Sequence, residues 1–157
     1  MSGTTRRALL RRTKAGSTSQ RARVLVPALV DALTDTSADV MRASMETLAL
    51  IGPEGCAAES ALRVCARDLD ERVRSRAALA LWCVCCDAPA AIDISSRLMK
   101  SSDPSTRAEA VGIVSSMGVD GSAGFPFVRD LANDGDGRVR MLARQVIEAE
   151  KARSPRR

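Results

Sequence analysis

Residues 70–81 read DERVRSRAALAL, in which an acidic residue precedes apolar and basic side chains at helical spacing. An Asp at the start of a helix accepts hydrogen bonds from the first free backbone N–H groups and faces the positive end of the helix dipole. Val73, Ala77 and Leu81 recur every four residues, which places them on one stripe of a helix. The stretch predicts an amphipathic helix over residues 71–86.

The same pattern returns along the chain with a period of 33 residues. Three columns align at this period: Asp70, Asp103 and Asp136; Arg74, Arg107 and Arg140; and Ala77, Ala110 and Ala143, which Ser44 extends upstream. Two apolar columns keep the same register: Val40, Val73, Thr106 and Val139; and Leu48, Leu81, Val114 and Ile147. Repetition at this length is typical of solenoids, in which each repeat is one small packing unit.

Segments rich in Gly, Pro and Asp separate the predicted helices. The helices are expected in pairs, over residues 22–34 and 38–51, 56–67 and 71–86, 89–100 and 104–117, and 123–132 and 137–151. Aromatic residues make up only 2% of the chain, whereas Ala, Val, Leu and Arg dominate, which argues against an all-β fold. The sequence therefore predicts an all-α fold, an α-solenoid of about four helical hairpins.

Residues 70–81, together with VMRASMETL at residues 40–48, resemble HEAT repeats. The resemblance covers residues 24–150 and is to the short HEAT-like variety found in phycobilin lyase relatives and bacterial scaffold proteins. The period is closer to ankyrin or TPR length, but the signatures of those repeats are absent. The resemblance implies a HEAT-like solenoid. It carries no catalytic residue over from the phycobilin lyases or from the HEAT-like DNA glycosylases, since fold alone does not give function.

Basic residues are concentrated at the two ends of the chain. Seven lie in residues 1–30, which contain no acid, whereas 13 basic and 19 acidic residues lie between 31 and 150. This split predicts a basic N-terminal tail over 1–21, a solenoid domain over 22–151 and a basic C-terminal tail over 152–157. No apolar run is long enough to span a bilayer. A cytoplasmic location is expected, with an organelle transit peptide at the Arg-rich start as the alternative.

The sequence predicts no metal site, cofactor or catalytic group. Its five cysteines form an odd, irregular set, unlike a secreted disulfide framework. Cys83 and Cys86 could share one helix face, with Cys65 or Cys56 as further ligands. Because the chain has no His and no second Cys-x-x-Cys pair, these thiols are interpreted as packing residues.

Asp134 and Asp136 begin a segment that resembles a calcium loop. The Glu that completes such a loop is missing, since Ala143 stands in its place. Solvated helix capping is therefore the expected role of these carboxylates.

The Asp and Arg columns, called here the Asp/Arg ladder, comprise Asp70, Arg74, Asp103, Arg107, Asp136 and Arg140. Each Asp is expected to cap a helix, and each Arg to reach that Asp or its counterpart in a neighbouring repeat. The alternative is a phosphate or carboxylate clamp made of the three arginines, which requires their guanidinium groups to be unpaired.

The helix face opposite the predicted core carries the candidate binding strip. The strip has an apolar centre and charged ends, the layout expected of an interface. It comprises Trp82, Leu79, Met45, Val111, Met141, Arg42 and Arg144. Trp82 is the expected centre because Trp is enriched where interfaces are strongest. The alternative is that these side chains fill gaps between repeats.

The predicted function is a non-enzymatic interaction module that binds a protein or peptide partner on the concave face of the solenoid. Two alternatives remain open at this point. The basic tails would bind nucleic acid or another acidic surface in one of them. The other is a phycobilin-lyase-like enzyme. The sequence predicts no oligomeric state.

Overall fold

The computed structural model describes residues 17–153. Regular structure in this part of the chain is helical throughout. The α-helices are α1 (Ser17–Ala32), α2 (Ala38–Ile51), α3 (Glu59–Cys65), α4 (Glu71–Cys85), α5 (Ala88–Leu98), α6 (Pro104–Ser116), α7 (Phe125–Asp130) and α8 (Gly137–Arg153). Short 3₁₀ segments cover Gly52–Ala58, Gly118–Gly124 and Leu131–Asn133.

The helices form consecutive hairpins, α1 with α2, α3 with α4, α5 with α6 and α7 with α8. The predicted all-α solenoid of about four hairpins is thereby confirmed. The chain divides into two compact units, and the boundary falls between Asp87 and Ala88. Each unit contains two hairpins, with α1–α4 in the first and α5–α8 in the second.

The core of the first unit lies where α2 packs against α4. Met45, Leu48 and Leu62 are fully buried there, and Leu81 is 1% exposed. Burial of one such side chain contributes about 1.5–3 kcal/mol to stability. The small residue Ala77, which is also fully buried, lets the two helices approach closely.

In the second unit, α6 packs against α5 and α8. Val111, Val114, Val128 and Val139 are fully buried in this core. Gly124 is also buried, and a Cβ placed there would come within 2.8 Å of a Val114 methyl group. Apart from Val40, which is 39% exposed, and the half-buried Ile147, the two apolar 33-residue columns consist of buried residues in both units.

The expected boundaries differ from the observed ones at both ends of the domain. Helix α1 begins at Ser17, inside the predicted tail of residues 1–21, and α8 extends to Arg153. Arg is a good helix former, so the basic composition of these stretches does not oppose a helix. The remaining tail residues, 1–16 and 154–157, lie outside the described residues.

Two first helices are shorter than expected. The predicted helices over 56–67 and 123–132 begin with the 3₁₀ segments Gly52–Ala58 and Gly118–Gly124, so that α3 and α7 start only at Glu59 and Phe125. Gly and Pro disfavour regular α-helix, which explains the delayed start.

Candidate functional site

The three apolar residues expected at the centre of the binding strip are buried. Met45 and Val111 are 0% exposed and Trp82 is 8% exposed. The prediction that these side chains form an accessible surface is therefore wrong. Helix α4 packs against both α2 and α3, and α6 packs against both α5 and α8. A face that would be polar in an isolated amphipathic helix is therefore available here for packing.

The other strip residues of the first unit are half-buried. Leu79 is half-buried in α4, and the Arg42 side chain donates a hydrogen bond from Nη2 to Asp39 Oδ1 at 2.7 Å. Such an exposed pair one helical turn apart contributes well under 1 kcal/mol. Neither residue offers an open binding surface by itself.

Met141 and Arg144, by contrast, are exposed on the last described helix. Met141 is 57% exposed and lies in a shallow, open concavity of about 580 Å³. We call this region the α8 face. It is lined by Gly137, Arg140, Met141, Arg144, Gln145 and Glu148. The α8 face is therefore the accessible part of the predicted strip.

The three ladder Asp residues bond to the first turns of their helices. Asp70, Asp103 and Asp136 each accept the backbone N–H two residues later, at 2.8, 3.1 and 2.9 Å. Asp103 and Asp136 also accept the N–H three residues later, at 3.2 and 3.1 Å. These bonds are those of an N-cap, which satisfies donors that lack a partner within the helix.

The ladder arginines bond elsewhere than expected. In Arg74, Arg107 and Arg140, Nη1 donates to the carbonyl oxygens six and five positions earlier, in the turn that precedes the Asp. The expectation that each Arg pairs with a ladder Asp is therefore wrong. A guanidinium group can donate hydrogen bonds to two carbonyl oxygens of the turn at once, and these oxygens accept no hydrogen bond from within a helix.

A further polar column was missed in the sequence. Asp35, Asp68, Ser101 and Asp134 each accept, through a side-chain oxygen, the backbone N–H two residues later, at 2.7, 2.8, 3.1 and 2.8 Å. This is an Asx- or Ser-type turn at the start of each second helix. The same 33-residue period could have found it, because these residues lie one period apart.

In the second unit this column connects two hairpins. Arg107 donates from Nε to Asp134 Oδ2 at 2.9 Å and from Nη2 to Asp134 Oδ1 at 2.8 Å. Both side chains are largely buried, 14% and 8% exposed. The bond from Arg107 holds the pKa of Asp134 below its usual range. A two-bonded Arg–carboxylate pair of this kind is strong and fixes the relative orientation of its partners.

We expect Asp134→Asn to lower the free energy of unfolding by roughly 1–3 kcal/mol at neutral pH, since it removes a charged hydrogen-bond partner. The folded pKa of Asp134 is depressed, so its contribution is complete above the ordinary Asp pKa of about 3.9 and is lost as pH falls through the folded value. As the pH is lowered from neutral to acidic, the melting temperature should therefore fall more steeply for the wild type than for the variant. Asp120→Asn, at an exposed site, should follow the wild type.

Arg140 has the same turn bonds as Arg107 but lacks the carboxylate. Among the groups that the structure describes, nothing bonds to its Nε or Nη2, the atoms through which Arg107 holds Asp134. We call this pair of donors the Arg140 fork. It lies on the α8 face, next to the exposed side chain of Met141.

The sequence model of the HEAT repeats family matches residues 58–148, which is more than half of the 157 residues. This chain is a HEAT-repeat protein. The resemblance carried by residues 70–81 is thereby confirmed. HEAT repeats commonly mediate protein interactions.

The solved structures that match this HEAT-repeat protein include the crystal structure of an engineered protein from the Northeast Structural Genomics Consortium. The two chains are 21% identical and superpose with a TM-score of 0.47. The match covers 92% of the HEAT-repeat chain and 46% of the engineered chain, so our chain spans less than half the length of that protein. The comparison with curated proteins finds no match.

The five cysteines of the HEAT-repeat protein are free thiols: Cys65 is buried, Cys83, Cys85 and Cys86 are half-buried, and Cys56 is exposed. Burial raises the pKa of Cys65 and raises that of Cys85 to about 11, so both remain protonated at neutral pH. Protonated thiols are poor metal ligands. Within residues 17–153, no cluster of at least three His, Cys, Asp or Glu residues could hold a metal ion.

Two further expectations concern the surroundings of the protein. In the described part of the chain, no helix combines the length and apolar character needed to cross a bilayer. The basic segments expected to contact nucleic acid lie mostly outside the described residues, at 1–16 and 154–157.

Proposed function

We propose that this HEAT-repeat chain is a non-enzymatic interaction module that binds an acidic segment of a protein partner on the α8 face. The observation that carries the proposal is the Arg140 fork. Its two donors are the same atoms that hold a carboxylate at Arg107, and they border an open concavity. Planar Arg groups recognise carboxylates through two parallel bonds.

The neighbouring side chains favour a partner that combines acidic and apolar residues. Arg144 lies one turn after Arg140 and donates from Nε to the Ala132 carbonyl at 2.9 Å, which holds its guanidinium group beside the concavity. Met141 supplies exposed apolar area between the two arginines. Met is an adaptable contact residue because its side chain is unbranched and polarizable.

At the far end of the α8 face, the negative charge of Glu148 is balanced by a basic residue of the same helix. Lys151 donates to Glu148 Oε1 at 2.7 Å, so this acid is paired. The positive charge of the face is thus concentrated at Arg140 and Arg144.

The proposal is tested with a short synthetic peptide of alternating Glu and Leu, and with its Gln and Leu counterpart as the control ligand. Nitrogen–proton NMR of the arginine Nε–Hε groups reports binding directly. We expect the acidic peptide to shift the Arg140 signal and to leave the Arg107 signal in place, because Arg107 is already paired with Asp134. An equal shift with the Gln peptide would refute carboxylate recognition.

Variants of the α8 face give a second measurement. We expect Arg140→Gln to weaken peptide binding about two- to fivefold, because the contact that it removes is one exposed ion pair. Met141→Glu should act in the same direction through repulsion, without removing any turn bond. Arg138→Gln, exposed on the same helix, is the matched control and should bind as the wild type does.

A further inference from the structure

We infer that the partner on the α8 face is a second copy of this chain, bound head to tail, with its Asp35 carboxylate in the Arg140 fork. This inference rests on the proposed function, since it uses the same fork. It goes further by naming the partner, the residue that enters the fork and the surface that covers Met141.

The register of the repeats leads to Asp35. Within the second unit, Arg107 binds the Asp that lies 27 residues later, Asp134. Asp35 belongs to the same 33-residue column as Asp134, three periods earlier. Suppose that a second copy continued the repeats of the first. Asp35 of the second copy would then stand to Arg140 of the first copy as Asp134 stands to Arg107.

The local geometry of Asp35 matches that of Asp134. In both residues Oδ1 accepts the backbone N–H two positions later, at 2.7 Å from Ser37 and 2.8 Å from Asp136. Asp134 uses its remaining capacity to accept both bonds from Arg107. Asp35 is exposed, and no Arg or Lys whose side chain the structure describes pairs with it. Its turn therefore presents a carboxylate already oriented for an Arg fork.

Near its start, α2 exposes an apolar position that is buried in every later repeat. Val40 is 39% exposed, whereas its counterpart Val73 is 1% exposed in α4, which packs against α2. Val139, the counterpart in α8, is fully buried. Thr106, the counterpart in α6, is 4% exposed. This surface resembles the buried side of an internal hairpin.

The α8 face shows the complementary relation. Met141 and Arg144 are exposed, whereas Ala108 and Val111, one period earlier in α6, are 6% and 0% exposed. Helix α6 packs against α8. If α2 of a second copy lay on α8 as α8 lies on α6, Val40 would enter the contact as Val139 does, and Met141 would be covered as Ala108 is.

The apolar contact and the ion pair have different roles in this assembly. An exposed ion pair by itself improves affinity by no more than about fivefold. Most of the affinity would come from the apolar contact around Val40 and Met141, while the Asp35–Arg140 pair sets register and orientation. Because the two surfaces differ, the contact is heterologous and produces open-ended oligomers.

Sedimentation velocity of the full chain over a range of concentrations tests the inference. We expect the average mass to rise with concentration in low salt. Asp35→Arg and Arg140→Glu should each weaken association at least about tenfold. An equimolar mixture of the two variants should regain dimers, because the Arg140 fork of one and the Asp35 of the other are both intact. Asp120→Arg and Arg153→Glu, at exposed sites, are the charge-matched controls.

Met141→Glu provides a second disruptive variant, which keeps the turn bonds of Arg140 and should also abolish association. A wild-type chain that stays monomeric at every concentration would overturn the inference, as would an Asp35→Arg variant that associates normally. Association that appears only after residues 1–16 are removed would equally overturn it, with that segment as the occupant. If the Glu–Leu peptide still shifts the Arg140 signal in such a case, the proposed function stands and only the second copy is rejected.

Discussion

Trp82→Ala is expected to lower the free energy of unfolding by about 3–5 kcal/mol. Trp82 is 8% exposed in α4, so truncation leaves a large void that its neighbours fill only in part. A loss of this size is a large share of the roughly 5–15 kcal/mol that stabilises a domain. Urea unfolding followed by circular dichroism measures the change.

Met141→Ala is the matched control for this experiment, since Met141 is 57% exposed in α8. It should change stability by no more than about 0.5 kcal/mol. The wild-type protein also reports on the site directly because Trp82 is its one tryptophan. We expect blue-shifted emission that resists quenching. Red-shifted, readily quenched emission, together with an unchanged free energy of unfolding for Trp82→Ala, would show instead that Trp82 lies on an accessible surface.

Gly121→Ala is expected to destabilise the second unit by about 1–3 kcal/mol or more, as overpacking of a core does. Gly121 lies buried in the 3₁₀ segment Gly118–Gly124. A Cβ at this position would overlap the backbone carbonyl oxygen of Val114 and approach Met117 Cβ to 3.1 Å. The carbonyl belongs to helix α6 and cannot rotate away. Thermal unfolding gives the magnitude.

Gly112→Ala is the internal control for the steric argument. Gly112 lies within α6, and nothing lies within 4 Å of a Cβ placed there. Because Ala loses less backbone entropy than Gly in a helix, this variant should gain about 0.5–1 kcal/mol. Similar losses for both variants would mean that the close approach of Val114 to Gly121 does not decide stability.

Short-range patterns in the sequence predicted most of the fold. A cap such as Asp103 bonds to backbone groups two and three residues away, so its role can be recognised from its position before an apolar helix. The period of 33 residues predicted the hairpins for the same reason, because each repeat encodes its own turn and its own buried stripe. The Gly-rich starts of α3 and α7 were mispredicted where 3₁₀ turns replace the α-helix.

By itself, the sequence determined the helices, their pairing and the residues that begin them, since these depend on interactions within a few residues. Only the tertiary structure decided which side of each second helix is accessible. Met45 and Met141 occupy nearby positions of equivalent helices, yet one is fully buried and the other 57% exposed. The tertiary structure also decided whether the Nε and Nη2 donors of these arginines are paired with a carboxylate. Arg107 and Arg140 occupy the same position in their repeats, and the difference is Asp134, which approaches Arg107 from 27 residues away. Burial and pairing depend on which hairpin packs alongside, and no local pattern contains that information.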